Sequence, residues 1–96
     1  MSIVEVTLFR LRKGLGESEF LAIDRRVQAE VVPNQPGFMR RTTAHREADW
    51  IVVTLWATEE AAAAFEEVAE GDPVWAEFIE AAAPESLSSR RFDTLD

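Results

Sequence analysis

The chain has 96 residues and a mass of 10.8 kDa, a length typical of one domain, and we expect residues 1–96 to form it. Ten basic residues against 18 acidic ones give a formal net charge of −8, which disfavours binding to nucleic acid or to an anionic membrane surface. With no cysteine and one histidine, disulfides, thiolate chemistry and multi-histidine metal sites are excluded, and no metal is expected. The absence of a secretory signal pattern predicts a cytoplasmic protein.

The first third of the chain predicts a strand followed by a helix. Apolar and polar residues alternate over residues 3–12, which is typical of a strand. Two glycines interrupt the alternation, and residues 17–32 then have the apolar spacing of a helix, with Ser18 as the expected N-cap. The proline- and glycine-rich segment 33–37 ends this helix and turns the chain.

The middle of the chain predicts a hairpin followed by a helix. Residues 38–45 and 50–57 are strand-like, and residues 46–49 form a short loop between them. The second strand is apolar on both faces, which is typical of a central strand that is covered on both sides. Thr58 is placed to cap a helix over residues 59–69.

A further helix and a last strand complete the pattern. Asp72 and Pro73 suit the N-cap and first position of a helix that Pro84 ends, and residues 87–95 form the last strand. The order is β-α-β-β-α-β, which predicts an α+β, ferredoxin-like fold with a four-stranded antiparallel sheet.

One face of such a sheet lacks a cover, because the helices can pack on the other face only. The uncovered face carries apolar residues of the first and third strands: Val4, Val6, Leu8, Ile51, Val53 and Leu55. Apolar patches of this kind mark interfaces, so the pattern predicts a homodimer that packs sheet on sheet. The arginine pairs 40–41 and 90–91 alternate faces, and one arginine of each pair is expected at this interface.

Three features together resemble a known superfamily: the β-α-β-β-α-β order of elements, the Gln35-Pro36-Gly37-Phe38 turn, and Thr54-Leu55-Trp56 followed by Thr58-Glu59-Glu60-Ala61. They resemble the dimeric α+β-barrel superfamily, and most of all its antibiotic biosynthesis monooxygenase branch. The resemblance implies a dimeric α+β barrel. Its members include cofactor-free oxygenases of polycyclic quinols, haem-degrading monooxygenases and lactone isomerases, so it leaves the reaction open.

The resemblance also bears on cofactors. Haem-degrading members carry an Asn on strand one, a Trp at the end of strand three and a His on the last helix as iron ligand. Trp56 matches the Trp, whereas Thr7 and Phe78 stand at the other two positions. A phenylalanine cannot bind iron, so we expect no haem and no other cofactor.

The resemblance places a ligand cavity between the helices and the sheet, where Thr7 and Trp56 face it. Strand alternation brings further residues to the same side: Glu5, Phe9, Trp50, Val52 and Thr54. Glu5 is either a base in the cavity or a carboxylate at the sheet end that reaches water. Trp75 is a core or cavity-wall residue whose indole N–H can orient a ligand, and His45 is expected to be exposed beside its loop.

An acid within the apolar arc of the first helix is the main anomaly. Asp24 falls in that arc and Gln28 lies at its edge. A carboxylate there needs a partner or a solvated cavity. Asp24 is therefore either a general base assisted by Gln28 as a hydrogen-bond donor, or the structural partner of Arg41, Arg90 or Arg91.

Two functions follow. The first is a cofactor-free monooxygenase or isomerase acting on a small aromatic or polyketide-like compound. In it Asp24 is the catalytic base, and the substrate-binding residues are Thr7, Gln28, Trp56 and Trp75. The second is a non-catalytic dimeric binding module in which the tryptophans only line a small cavity for a hydrophobic or aromatic ligand.

Overall fold

The predicted order of elements is confirmed by a computed structural model that describes residues 1–96. The regular elements are β1 (Ile3–Phe9), α1 (Glu17–Arg26), β2 (Phe38–Arg46), β3 (Asp49–Trp56), α2 (Glu59–Ala69), α3 (Pro73–Ala81) and β4 (Ser88–Asp93). A π-helical turn (Val27–Val31) continues α1, and a 3-10 turn (Pro84–Ser86) precedes β4.

The sheet has the order β2-β3-β1-β4, and each neighbouring pair is antiparallel. β3 is a central strand, as its apolar residues predict, and it pairs with β1 through Thr7 opposite Val52. Because side chains alternate along a strand, this register gives the sheet a helix-side face and an open face. The fold is therefore the predicted ferredoxin-like α+β arrangement.

A β-bulge in β2 decides which arginine faces the helices. Phe38 lies opposite Trp56, but Arg40 lies opposite Leu55 and Arg41 opposite Thr54, so β2 has one residue more than β3 over this stretch. Arg41 consequently faces the helices together with Thr54, and Arg40 faces the other way. At β4, Arg91 lies opposite Glu5 on the helix side.

The helix-side face carries the hydrophobic core. Phe20 of α1 is fully buried and lies against Trp50, with ring centroids 4.7 Å apart. Phe9 and Phe78 complete the cluster, at 5.6 Å and 5.9 Å from Phe20. These aromatic contacts fasten α1 and α3 to the sheet.

Two helix N-termini agree with the sequence and one differs. Thr58 caps α2 by accepting a hydrogen bond from the Ala61 N–H at 3.1 Å, and Asp72 caps α3. For α1, however, the N-cap is Gly16 and not Ser18, which lies inside the first turn. The Glu19 carboxylate accepts from the Gly16 N–H at 3.1 Å and so satisfies the helix start.

The expected helix over residues 17–32 is also not uniform. Its α-helical part ends at Arg26, and the wider turn that follows brings Val27, Val31 and Val32 into the core together. β1 ends at Phe9 rather than at residue 12, because Leu11 leaves the sheet and pairs with Ala82.

The open face of the sheet is apolar at its centre. Leu8 and Phe92 are 48% and 45% exposed, and the neighbouring Val4, Val6, Ile51, Val53 and Leu55 are only half-buried. No helix packs on this face, since α1, α2 and α3 all lie on the other side. None of the helices is long and apolar enough to cross a membrane.

The turn before β2 allows the chain to pass close to α2. Gly37 has a φ of +81°, and a Cβ atom there would lie 2.5 Å from the Ala61 Cβ. Its carbonyl accepts a hydrogen bond from the Ala57 N–H at 2.8 Å, which holds the turn against the start of α2. Glycine is therefore required for both its conformation and its size.

We predict that Gly37→Ala lowers the free energy of unfolding by about 2 kcal/mol or more, because it adds a steric clash to an unfavourable φ. Gly14→Ala is the matched control, since Gly14 has a φ of +89° but nothing within 4 Å of its Cβ position. That control should cost about 1 kcal/mol from backbone strain alone. Urea unfolding at one protein concentration measures both values, and equal losses would contradict the clash.

Candidate functional site

A partly enclosed cavity of about 340 Å³ lies between the sheet and the helices. Its apolar wall consists of nine residues: Val32, Val52, Trp56, Phe65, Ala69, Trp75, Phe78, Ile79 and Leu87. Its polar wall consists of Glu5, Thr7, Arg41, Thr54, Glu66, Glu70 and Ser89. All four strands contribute to it, and α2 and α3 cover it.

A row of aromatic rings forms the apolar wall. Successive ring centroids from Trp56 to Phe65, Trp75 and Phe78 are 5.2, 5.1 and 5.0 Å apart. Phe78 also contacts Phe20, so it separates the cavity from the filled part of the core. Part of the space between helices and sheet is thus filled by side chains, and part of it is open.

Hydrogen-bonding groups lie on the sheet side of the cavity. The hydroxyls of Thr7 and Ser89, which are opposite each other on β1 and β4, are 3.1 Å apart. Thr54 is buried beside them on β3. The indole N–H of the fully buried Trp56 has no hydrogen-bond partner within the protein, an arrangement that costs about 1–3 kcal/mol unless an acceptor is supplied.

Arg41 is the buried cation of this site. Its side chain is 1% exposed, and a guanidinium nitrogen lies 2.8 Å from the carboxylate of Asp24. The guanidinium also donates to Gln28 at 3.2 Å and to Thr43 at 3.3 Å. It lies over the ring of Phe78, 5.2 Å from the centroid.

The carboxylate of Asp24 therefore faces Arg41 and does not line the cavity. The sequence left open whether Asp24 is a general base or the structural partner of an arginine, and this geometry is that of an ion pair with Arg41. Gln28 is exposed, lies outside the cavity wall and accepts from the same guanidinium through its side-chain oxygen. Asp24 and Gln28 together hold Arg41 from the side of α1.

A second ion cluster lies where the cavity meets β4. Arg91 donates to Glu5 and to Glu59, each at 3.1 Å, and also pairs with Glu66. Burial alone would lower the pKa of Arg91, but the hydrogen bonds to Glu5 and Glu59 and the negative charges of Glu66 and Glu5 outweigh it, so the pKa is raised. Arg91 thus stays charged while it ties β1 and α2 to the edge strand.

The predicted site residues divide into two groups. Thr7, Trp56 and Trp75 line the cavity, as does Glu5. Asp24 and Gln28 do not line it and instead contact the guanidinium of Arg41. The cavity residues that the sequence analysis did not assign include Arg41, Phe65 and Ser89. Ser89 could have been found from strand pairing, because it lies opposite Thr7. The side to which Arg41 points could not, because it depends on the bulge in β2.

Two further expectations concern residues near this site. His45 is exposed, as expected, and lies 2.7 Å from the Glu17 carboxylate and stacked on Trp50, away from the cavity. Phe78, which the resemblance placed at the iron-ligand position of haem-degrading proteins, is packed against other rings. No group of three or more His, Cys, Asp or Glu side chains is close enough together to hold a metal ion.

The fold is shared with solved structures of oxygenase and monooxygenase proteins. SnoaB, a cofactor-independent oxygenase from Streptomyces nogalater, is 18% identical, with a TM-score of 0.70 over 99% of this chain and 94% of that one. A protein of Bordetella bronchiseptica, provisionally named an antibiotic biosynthesis monooxygenase, is 17% identical, with a TM-score of 0.80 over 98% and 97%. One of the same provisional name from Caulobacter crescentus is 18% identical, with a TM-score of 0.76 over 99% and 91%.

These likenesses confirm the resemblance to the antibiotic biosynthesis monooxygenase branch at the level of the fold. The sequence matches no protein-family model and no curated protein. At identities of 18% or less, the likeness establishes the fold alone.

We predict that Asp24→Asn lowers the free energy of unfolding by about 3 kcal/mol, because it leaves the guanidinium of Arg41 buried without its counter-ion. The control Glu30→Gln breaks a solvent-exposed ion pair with Arg26 and should cost less than about 0.5 kcal/mol. Adding Arg41→Met to Asp24→Asn should recover stability, since the unpaired charge is then removed. Chemical unfolding checks all three; an Asp24→Asn variant as stable as the control would mean that the ion pair is not structural.

Proposed function

We propose that this protein binds a small aromatic compound in the cavity between its helices and sheet, and acts on it as a cofactor-independent monooxygenase. The observation that carries the proposal is the cavity itself. It combines an aromatic wall with a few hydrogen-bonding groups, which is the composition of small-molecule sites. The shared fold with a cofactor-independent oxygenase supports the reaction type.

The volume limits the ligand. At ~30 Å³ for each water molecule of liquid water, a cavity of 340 Å³ holds about eleven waters. A flat compound of two or three fused rings occupies a comparable space. Trp56 and Trp75 offer ring faces to such a compound, while Thr7 and Ser89 offer hydroxyls to its oxygen atoms.

The chemistry needs a substrate that can itself reduce oxygen. In an anthrone-like compound, a base removes a proton from the ring CH₂ group, and the resulting anion passes one electron to O₂. Radical and superoxide then combine to form a C–O bond. The peroxide takes the proton back and loses water, so the CH₂ group and O₂ become C=O and H₂O. Every electron comes from the substrate, and the protein supplies position and a proton acceptor.

Glu5 has the better position for that proton acceptor. Its carboxylate lines the cavity, whereas the predicted base, Asp24, is held by Arg41 outside the cavity wall. One carboxylate oxygen of Glu5 accepts from Arg91, and the other makes no hydrogen bond or ion pair within the protein. We therefore assign proton transfer to Glu5 and a positioning role to Asp24 and Gln28, which hold Arg41.

A specific observation favours the alternative, a non-catalytic binding module. Glu5 is ion-paired with Arg91 at 3.1 Å, so one of its carboxylate oxygens is already engaged within the protein. In that case the cavity binds the same aromatic compounds without converting them.

The open face of the sheet supports a homodimer, and we propose that this homodimer is cytoplasmic. A second copy related by a two-fold axis can cover its apolar centre on β1 and β3 with the same residues. Leu8 and Phe92, which are half-exposed in the single chain, would be buried there.

Oxygen uptake tests the reaction. With anthrone as substrate, we expect the protein to speed up O₂ consumption, with one O₂ used for each anthraquinone formed. Glu5→Gln should lower the rate by about 10²-fold or more, because it removes the proton acceptor. Glu59→Gln is the matched control, since Glu59 contacts the same arginine from outside the cavity. Anthrone binding without O₂ uptake would reject the monooxygenase in favour of the binding module.

The assembly has its own test. Light scattering at micromolar concentration should give about twice the chain mass of 10.8 kDa. Val53→Asp places a charge at the centre of the open face and should yield monomer or unfolded chain. Val68→Asp, at an exposed position of α2, should remain a dimer. A monomeric unsubstituted protein would contradict the proposed interface.

A further inference from the structure

The charged residues that line the cavity are mostly acidic. Three acids line it, Glu5, Glu66 and Glu70, and Arg41 is the one base among the lining residues. With the ion-pair partners Asp24, Glu59 and Arg91 included, five carboxylates stand against two guanidiniums.

 Of these five carboxylates, Glu70 alone has no ion-pair partner. The site as a whole therefore carries a net negative charge.

The cations of the site are already engaged. Arg41 is held by Asp24 at 2.8 Å, and Arg91 by three carboxylates, so neither has a free charge for a ligand. A carboxylate that entered the cavity would lose water and gain no counter-ion, which is unfavourable in a wall of aromatic rings.

The opening of the cavity adds to this effect. Glu66 and Glu70 are exposed and line the cavity, so they lie where it meets solvent. They are one turn apart near the C-terminal end of α2, where the helix dipole contributes further partial negative charge. An anion that approaches the cavity therefore meets a negative electrostatic potential at its opening.

We propose that the site selects uncharged aromatic alcohols and ketones and rejects aromatic carboxylates of the same size. This inference rests on the proposed function, because it takes the cavity as the ligand site. The uncharged ligand satisfies the hydroxyls of Thr7 and Ser89 without bringing in a charge. Proton transfer to Glu5 is compatible with this selection, since it moves a negative charge from protein to ligand and leaves the total unchanged.

The test compares 2-naphthol with 2-naphthoate, which share a ring system and differ in charge at pH 7. Calorimetric titration at about 10 mM salt keeps electrostatic screening weak. We expect 2-naphthol to bind and 2-naphthoate to bind at least tenfold more weakly. Glu70→Gln should raise the affinity for naphthoate about threefold relative to the affinity for naphthol.

Glu67→Gln is the matched control, because it removes the same charge from the same helix at an exposed position that does not line the cavity. It should leave the ratio of the two affinities as in the unsubstituted protein. Equal or tighter binding of naphthoate, or an equal effect of the two substitutions, overturns the charge selection while the proposed function stands. Failure of both compounds to bind overturns the proposed function as well.

Discussion

The buried ion pair of Arg41 and Asp24 determines how the first helix meets the sheet. Arg41 projects from β2 and Asp24 from α1, so their contact at 2.8 Å joins the first helix to an edge strand of the sheet. The guanidinium costs free energy to bury, and that cost is offset only if the carboxylate and its other acceptors, Gln28 and Thr43, are in place. The packing of α1 and the orientation of the arginine are therefore coupled.

The same pair shapes the cavity. Because the guanidinium lies on the ring of Phe78, it keeps that ring between the packed core and the open space. Phe9, Phe20 and Trp50 fill the side towards α1, and the side towards α2 remains empty between Trp56 and Trp75. The site is thus a part of the core that aromatic packing leaves unfilled, with polar groups supplied by β1 and β4.

Much of the fold follows from local patterns in the sequence. The two-sided apolar character of β3 identifies it as a central strand, and strand alternation places Thr7 and Trp56 on the helix side. Capping residues locate the starts of α2 and α3, because their side chains satisfy backbone N–H groups a few residues away.

The rest depends on contacts between distant segments. At Asp24 the pattern indicates an anomaly but does not choose between a base and an ion pair, because the choice depends on which side chain of β2 faces it. The N-cap of α1 is a second example. The Glu19 carboxylate accepts a hydrogen bond from the Gly16 N–H, although Ser18 fits the sequence pattern of an N-cap equally well. The unfilled volume beside Trp56 is a property of three-dimensional packing, which periodicity does not encode.

The bulge in β2 has a consequence for comparing this chain with others of its fold. One additional residue between Phe38 and Arg40 exchanges the two faces for the rest of the strand, so that Arg41 and not Arg40 enters the core. In a relative whose second strand is regular, residues matched by counting along the chain would point to opposite sides of the sheet. Insertions and deletions at this point therefore change the lining of the cavity more than many substitutions do, and equivalent positions are defined by the face they occupy.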